Sequence, residues 1–249
     1  PNFGYDLCVD RIAPAERLTL DLSTWRVAFN GAERIKPETL RRFAAAFASA
    51  KFTDASFLPC YGLAEATLIV TGVGFAPPVT VGLDRAELAG QRAGSSATAE
   101  ILLADCGPPA PGVGVAVVDP VTCQRLDDGR IGEVWVAGPS VARGYWRTPE
   151  QDEAVFRARV AGEDGEHYLR TGDMGFLREG RLVVTGRRKE MLIIRGENHC
   201  PQDIEAVVER SDDTIRTGAV AAFGTVVAGE VFMGCLHLHG NDNSSHRKT

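Results

Sequence analysis

The stretch from residue 168 to residue 205 limits the fold of this chain more than any other. It reads YLRTGDMGFLREGRLVVTGRRKEMLIIRGENHCPQDIE and places a charged run, GRRKE at 186–190, between two apolar runs. The apolar runs at 182–184 and 191–194 are short enough to be strands. Consecutive charges such as these cannot be buried unpaired. The charged run is therefore either a solvated turn or a place where a ligand binds or the chain moves.

Asp173 lies shortly before this charged run. It follows Gly172 and precedes a polar turn at 178–180, which predicts a position on a loop rather than inside a strand. A carboxylate beside a glycine can approach a ligand closely, because glycine has no Cβ in the way. Taken alone, a Thr-Gly-Asp turn and a charged hairpin end each favour a purely structural role.

Length and composition limit the class of protein. A chain of 249 residues with 44% apolar content can bury a sizeable core and hold more than one domain. Its net charge of −6 disfavours a nucleic-acid or anionic-membrane partner, since both favour clustered Lys and Arg. No apolar run approaches the roughly 20 residues of a membrane-spanning helix. We therefore expect no nucleic-acid partner and no integral membrane contact.

The cysteines and the first residues bear on where the protein works. The six cysteines are scattered without a CxxC pair, which predicts reduced thiols in a cytoplasmic protein. The first residues show no basic segment followed by an apolar one, so no signal peptide is expected. The chain begins on proline instead of methionine, which indicates a fragment of something longer.

Strands and helices are predicted to alternate in the first part of the chain. Residues 25–29 alternate as a short strand, and Pro37 begins a helix with apolar residues at helical spacing on one face. A second strand leads into Gly62, and Glu65 begins a segment of good helix formers. This pattern places residues 61–65 on a strand-to-helix loop, where active-site residues of α/β folds collect.

Glu65 has two interpretations at this position. An acidic residue in the first turn of a helix complements the helix dipole, which is common. Alternatively, a carboxylate on this loop coordinates Mg²⁺, whose preference for oxygen ligands suits a nucleotide phosphate. The residue pattern alone leaves both interpretations open.

Strands dominate the prediction for the middle of the chain. Residues 77–112 are rich in Ala, Gly and Ser and predict a long surface excursion that ends in a strand at 101–103. Further strands are predicted at 113–118 and 131–136. The segment SVARGYW at 140–146 is expected to place its aromatic pair in the core, and it receives no role in a site.

Together these motifs resemble the adenylate-forming enzyme superfamily. TGD at 171–173, GRRKE at 186–190 and RGENHCPQDIE at 195–205 are similar to that family in order and spacing. YGLAE at 61–65 resembles its YGxTE motif, with alanine in place of the usual threonine. NGAE at 30–33, with YGLAEATL, PNFGYDLC and NHCPQDIE, resembles one branch, the fatty acyl-AMP ligases. The resemblance covers nearly the whole chain.

The resemblance implies an α/β fold of mixed α+β character. Residues 1–186 would form the C-terminal part of a large adenylation domain, with sheets and a β-barrel-like subdomain. Residues 187–190 would be a hinge, and residues 191–239 a truncated small C-terminal domain in which Pro201 begins a helix. Residues 240–249 form a polar tail that is expected to be disordered.

The resemblance also implies roles for individual residues. Asp173 would hold the ribose hydroxyls of ATP, with help from Arg187. Glu65 would hold Mg²⁺, and Lys189 would be the hinge on which the small domain rotates. The rest of the nucleotide site would be formed by Gly31, Ala32, Glu33, Tyr61, Gly62, Leu63 and Ala64.

The implied reaction joins a long-chain fatty acid to ATP. In this branch the acyl-adenylate then passes to the phosphopantetheine thiol of an acyl carrier protein, and residues 77–112 lie where the branch carries an extra segment relative to acyl-CoA ligases. The family's TSGSTG-type phosphate loop and its terminal catalytic lysine have no match in this sequence. We therefore expect an incomplete catalytic set and a chain that is inactive by itself.

Three other hypotheses stay open. An acyl-CoA ligase shares the adenylation core. A nonribosomal-peptide adenylation domain would need an acid such as Asp6 to hold an ammonium group, although Phe3, Tyr5 and Leu7 around it favour an acyl tunnel. The chain could also be a non-catalytic gene remnant.

Overall fold

The computed structural model divides the chain into two compact units, Pro1–Arg188 and Lys189–Thr249. Among the residues it describes, no helix is both long enough and apolar enough to cross a membrane. The predicted polar tail at 240–249 lies outside the described residues. The described residues are 1–72, 77–84, 87–88, 90–93, 99, 101–194, 197–212, 214–227 and 230–239.

A three-stranded sheet and three helices open the first unit. Strand β1 pairs with β2 in parallel, and β2 pairs with β3 antiparallel. The mixed α/β class predicted from the sequence is confirmed. The elements are α1 (Asn2–Arg11), α2 (Pro14–Arg17), β1 (Ala28–Asn30), α3 (Pro37–Phe47), β2 (Phe57–Leu63) and β3 (Leu68–Gly72).

Helix α3 supplies the centre of an aromatic core. The ring of Phe43 is 2% exposed and lies 5.0 Å from that of Tyr5 on α1. It also lies 6.0 Å from the ring of Phe57 on β2 and 4.5 Å from that of Phe47. The helix predicted from Pro37 is therefore confirmed, since a proline at the first turn leaves no helical hydrogen bond unmade.

The helix predicted from Glu65 is wrong. Ala64–Ala66 form one 3₁₀ turn, after which the chain returns as β3 against β2. Gly62 permits this tight return, because a Cβ there would overlap the carbonyl oxygen of Leu68. Pairing with β2 thus overrides the helix propensity of the segment. The strand predicted at 25–29 is also displaced, to Ala28–Asn30.

A four-stranded antiparallel sheet forms the second part of this unit. Its strands pair in chain order. Two of its strands contribute the fully buried side chains of Trp135 and Phe176. The β-barrel-like subdomain predicted here is wrong: among the described residues this sheet is open, and its first and last strands do not pair. The elements are β6 (Gly114–Val118), β7 (Gly132–Ala137), helix α4 (Pro149–Phe156), β8 (Leu169–Arg178) and β9 (Arg181–Arg187).

Asp173 lies inside β8, so its predicted position on a loop is wrong. It pairs with Arg187 of β9, and the two strands are joined by the predicted polar turn, in which Glu179 has a φ of +53°. Gly172 has a φ of +73°, a left-handed conformation that favours glycine. The backbone is therefore distorted just before Asp173, while strand pairing continues on both sides.

Residues 77–112 contain a strand pair as well as the predicted excursion. Strand β4 (Thr80–Leu83) pairs antiparallel with β5 (Ile101–Ala104). Buried apolar side chains of this pair join a core with Ile131 and Phe176 of the neighbouring sheet. The rest of the predicted excursion therefore lies between β4 and β5 in the sequence. The β4–β5 pair itself packs on the neighbouring sheet of the first unit.

The second unit combines a helix with a long hairpin. Two of its glutamates tie α5 to β12: Glu205 Oε1 accepts the N–H of Ala222 at 3.0 Å, and Glu209 Oε1 accepts that of Gly218 at 2.7 Å. The helix predicted from Pro201 is confirmed, and the predicted strands are longer than expected. The elements are β10 (Leu192–Ile194), β11 (Glu197–His199), α5 (Pro201–Ser211), β12 (Ile215–Val227) and β13 (Glu230–His239).

Candidate functional site

Three of the predicted site residues meet at Asp173. The Tyr61 hydroxyl donates a hydrogen bond to Asp173 Oδ2 at 2.6 Å, and Arg187 Nε donates to Oδ1 at 3.0 Å. Tyr61 and Asp173 are buried, whereas the Arg187 side chain is 64% exposed. The structure thus joins strands β2, β8 and β9 at one carboxylate, with a guanidinium open to solvent beside it.

The backbone before Asp173 is held by hydrogen bonds from within the sheet. Thr171 Oγ1 accepts the N–H of Asp173 at 3.0 Å and donates to the carbonyl oxygen of Val134 at 2.7 Å. The buried Glu133 accepts the N–H of Gly172 through Oε1 at 3.2 Å. The Asp173 carboxylate is therefore positioned by strand β7 as well as by its own side-chain partners.

Glu133 is the buried acid next to Gly172, and it is paired with arginines. Its Oε2 forms a 2.6 Å ion pair with Arg170, and Arg188 Nη1 lies 4.0 Å from the same atom. Sequence analysis did not identify Glu133, because a single acid in an apolar strand has no local signature. Its role is to orient the backbone at Gly172, next to Asp173.

Burial and the neighbouring Asp173 carboxylate together determine the state of the Tyr61 hydroxyl. Both raise the pKa of Tyr61 far above its ordinary range, with burial the larger cause. The hydroxyl is therefore protonated at neutral pH and acts as the donor to Asp173. Tyr61 was predicted to contact adenine, and the structure adds this contact with the predicted ribose ligand.

The predicted adenine-lining residues lie at the end of β1. A Cβ on Gly31 would come within 2.8 Å of the carbonyl oxygen of Cys60, next to Tyr61, so a larger side chain is excluded there. Ala32 has a φ of +68°, and Glu33 Oε1 accepts the N–H of Asn2 at 2.6 Å. The structure thus brings residues 31–33 beside β2, while the Glu33 carboxylate is occupied by α1.

The remaining residues of the YGLAE motif follow Tyr61 along the chain. Gly62 and Leu63 end strand β2, and Ala64 begins the 3₁₀ turn that carries Glu65. Tyr145 donates to Glu65 Oε1 at 2.8 Å, and Ala142 N–H donates to the carbonyl oxygen of Glu65 at 2.8 Å. Glu65 is thus held by contacts from a segment far along the chain.

The prediction for the SVARGYW segment is wrong. Tyr145 is 42% exposed and Trp146 is 85% exposed, so this aromatic pair does not form part of the core. Tyr145 instead contacts Glu65, a residue to which the sequence analysis gave a functional role. No sequence signal pointed to this contact, because the two residues are 80 positions apart and belong to different motifs.

The described residues fit an Mg²⁺ ion that is bound by one carboxylate together with a nucleotide. Among the described residues there is no group of three or more His, Cys, Asp or Glu side chains arranged to hold a metal ion. Mg²⁺ usually keeps several waters and is held by one or two carboxylates together with substrate phosphates. Glu65 offers such a single carboxylate, so the donor set suits a metal that arrives with a nucleotide.

Lys189 lies at the boundary between the two units. Strand β9 ends at Arg187, and Arg188–Glu190 form an exposed 3₁₀ turn. Within the second unit, Glu190 Oε2 accepts a hydrogen bond from Gln202 at 3.2 Å. The hinge at 187–190 stays a prediction, because contacts within each unit do not test a rotation between the units.

The residues around Asp6 that favour an acyl tunnel differ in exposure, and the tunnel stays a prediction. Phe3 and Leu7 are exposed on α1, and Tyr5 is buried with its hydroxyl donating to the carbonyl oxygen of Phe29 at 2.6 Å. Burial raises the pKa of Tyr5 to about 12. Asp6 forms a 2.9 Å ion pair with Arg42, which disfavours a role in binding a substrate ammonium group.

Comparison with known proteins identifies the family. Residues 5–146, which include the Glu65 turn and the Tyr145 segment, match the AMP-binding enzyme model. The chain therefore belongs to the AMP-binding enzyme family.

Similar proteins include ligases and adenylyltransferases of organic acids. The chain is 39% identical over 236 residues to the medium-chain-fatty-acid–acyl-carrier-protein ligase JamA of Moorena producens, covering 92% of this chain and 40% of JamA. It is 42% identical over 218 residues to the 4-hydroxyphenylalkanoate adenylyltransferase of Mycobacterium tuberculosis, covering 84% of this chain and 35% of that protein. The chain thus spans about two fifths or less of these curated relatives.

A solved structure supports the same grouping. The fatty acyl-adenylate ligase of L. pneumophila, in complex with acyl adenylate and pyrophosphate, is 40% identical and superposes with a TM-score of 0.74. The match covers 95% of this chain and 42% of that protein. Both the sequence relatives and this structure place the chain in one part of a longer protein architecture.

Proposed function

We propose that the protein to which this chain belongs activates a fatty acid as its acyl-adenylate and passes the acyl group to an acyl carrier protein. A carboxylate oxygen of the acid bonds to the α-phosphorus of ATP, and the bond from that phosphorus to pyrophosphate breaks. The carrier thiol then loses its proton and attacks the acyl carbon, which releases AMP. The Tyr61–Asp173–Arg187 cluster is the observation that carries this proposal.

Asp173 is proposed to hold the ribose. A carboxylate can accept about four hydrogen bonds, so it can serve Tyr61, Arg187 and ribose hydroxyls together. Arg187, whose side chain is largely exposed, would stabilise the same end of the nucleotide. The backbone at Gly31 and Ala32 would line the adenine, since only a residue without a large side chain fits there. These residues position reactants and supply no nucleophile.

Glu65 is proposed to hold Mg²⁺ beside the phosphates of ATP. The cation, when bound, offsets negative charge on the reacting phosphates. The contribution of the chain is to fix one carboxylate at the end of β2, on the turn that follows Tyr61. ATP and Mg²⁺ are thus the cofactors of the proposed reaction.

An acyl carrier protein is the proposed acceptor, as the name of the relative JamA suggests. The described part of the excursion between β4 and β5 is attached to the first unit. Ala93 N–H donates to the carbonyl oxygen of Gly129 at 2.6 Å, and Ile131 N–H donates to that of Gln91 at 2.9 Å. A segment anchored in this way could limit access of free coenzyme A, while a carrier protein brings its thiol on its own docking surface.

The acceptor test uses a reconstituted ligase, in which this chain replaces the matching segment of JamA. We expect thioester on the carrier protein and little acyl-CoA from the intact ligase. Deleting residues 84–99 should raise acyl-CoA formation severalfold, because a steric limit is removed. Thioester yield with each acceptor is the measurement, and acyl-adenylate formation without acceptor is the control. Ready formation of acyl-CoA by the intact ligase contradicts the carrier assignment; no change on deletion contradicts only the steric mechanism.

A hinge at Lys189 predicts that the two half-reactions can be separated. Lys189→Pro fixes φ and removes an N–H donor at the boundary between the units, which restricts rotation. Adenylation by the reconstituted ligase should survive, and transfer to the carrier should fall about tenfold or more, a barrier increase of about 1.4 kcal/mol. Lys189→Ala, which keeps the backbone donor, is the matched control. Equal loss of both steps indicates local unfolding instead of a restricted hinge.

A further inference from the structure

A strap at residues 140–146 lies across the turn that carries Glu65. Thr67 Oγ1 donates to the carbonyl oxygen of Ser140 at 2.6 Å, and Ala142 N–H donates to the carbonyl oxygen of Glu65 at 2.8 Å. These two backbone contacts already attach the strap to the turn. The third contact, from the Tyr145 hydroxyl to Glu65 Oε1 at 2.8 Å, is different because it reaches the carboxylate itself.

Tyr145 is fixed on its other side by helix α4. Asp152 Oδ1 accepts the N–H of Tyr145 at 3.0 Å, and the ring of Phe156 lies edge-on to the Tyr145 ring at 4.9 Å. Gly144 allows this approach, since a Cβ there would overlap the Asp152 carboxylate. The hydroxyl is therefore held in place before any ligand arrives, although the tyrosine is partly exposed.

A neutral donor suits a carboxylate that must bind a cation. Lysine or arginine in this position would cancel the negative charge of Glu65, whereas a tyrosine hydroxyl orients one oxygen and leaves the charge in place. Hydrogen-bond partners of metal-binding carboxylates generally orient them in this way.

We propose that Tyr145 is a positioning residue for Glu65: it holds Oε1 so that Oε2 faces the divalent cation that enters with ATP. This inference rests on the proposed function, because it assigns a further residue to the same site. A purely structural role would require only that the strap stays attached, which the contacts of Ser140 and Ala142 provide.

The contact itself can be tested on the 249-residue chain alone. The ¹³Cζ chemical shift of each tyrosine is measured by NMR at neutral pH, with Tyr145→Phe identifying the signal. Glu65→Gln should shift the Tyr145 signal, because the charged acceptor of its hydroxyl is removed. Glu150→Gln, on the exposed start of α4, should leave it unchanged. An unchanged Tyr145 signal in Glu65→Gln overturns the proposal.

The positioning role is tested in the reconstituted ligase with two measurements. Tyr145→Phe should weaken Mn²⁺ binding in the presence of ATP, measured by EPR, about tenfold. The Mg²⁺ concentration for half-maximal adenylation should rise by a similar factor, with kcat at saturating Mg²⁺ close to that of the parent. In a Glu65→Gln background the same change should have no further effect.

Tyr168→Phe is the matched control, since this tyrosine hydroxyl also contacts a glutamate, Glu166 at 3.4 Å, away from the Glu65 turn. It should leave the metal dependence unchanged. A Tyr145→Phe ligase with the metal dependence of its parent overturns the positioning role. A parent ligase that forms no adenylate contradicts the proposed function instead, while the NMR measurement still decides whether Tyr145 and Glu65 are in contact.

Discussion

The 249-residue chain by itself is expected to release pyrophosphate from ATP and a fatty acid at least about 10²- to 10³-fold more slowly than the reconstituted ligase. The sequence has no match to the TSGSTG-type loop or to the terminal lysine that the family resemblance implies. Each such group stabilises charge on the transferring phosphate, and losing a single one typically costs about that factor.

Fatty-acid-dependent release of pyrophosphate is the measurement for this comparison. Turnover by the isolated chain at a rate near that of the reconstituted ligase would show that the residues described here suffice for catalysis. That result would contradict our account of which parts are essential. If neither protein released pyrophosphate, the hypothesis of a non-catalytic gene remnant would be favoured.

Asp173→Ala in the reconstituted ligase is expected to lower kcat/KM for ATP by about 10- to 100-fold. The substitution removes the proposed acceptor of the ribose hydroxyls and leaves the buried Tyr61 hydroxyl without its Asp173 partner. Losses of this kind cost about 1–3 kcal/mol, and every 1.4 kcal/mol is a factor of ten. Steady-state kinetics with varied ATP provide the measurement.

Glu179→Ala is the matched control for this substitution. Glu179 is an acid close to Asp173 in sequence, but it lies on the exposed turn between β8 and β9. It should change kcat/KM by less than about twofold, since Glu179 has no proposed contact with the nucleotide and exposed substitutions usually change the free energy of unfolding by only about 0.5 kcal/mol or less. Equal effects of the two substitutions would show that the ribose assignment is wrong. Thermal unfolding of both variants separates lost binding from lost folding.

Local sequence patterns predicted those helices and strands whose apolar residues recur at a regular spacing. The helix from Pro37 and the strands at 113–118 and 131–136 follow from periodicity, because their apolar faces pack directly into the core. The helix expected from Glu65 did not form, since β3 finds a partner in β2 and Gly62 permits the close return. The pairing of one strand with another depends on tertiary structure, and local propensity does not predict it.

The candidate site divides in the same way. Asp173 and Arg187 could be selected from their motifs, yet a local turn signal misplaced Asp173 on a loop. Its strand position depends on pairing with Arg187, 14 residues further along the chain. Tyr145 was assigned to the core because aromatic residues usually pack there. Its contact with Glu65 became visible only once the fold joined two segments 80 residues apart.

The central claim is that this chain supplies the nucleotide-binding part of an enzyme that forms an acyl-adenylate. The most direct measurement supplies the reconstituted ligase with ATP, Mg²⁺, carrier protein and a fatty acid labelled with oxygen-18 in its carboxylate. If the carboxylate attacks the α-phosphorus, one labelled oxygen remains on the AMP that the carrier thiol displaces. We predict pyrophosphate and AMP carrying the label, by mass spectrometry. Unlabelled AMP, or ADP with phosphate, would contradict the claim.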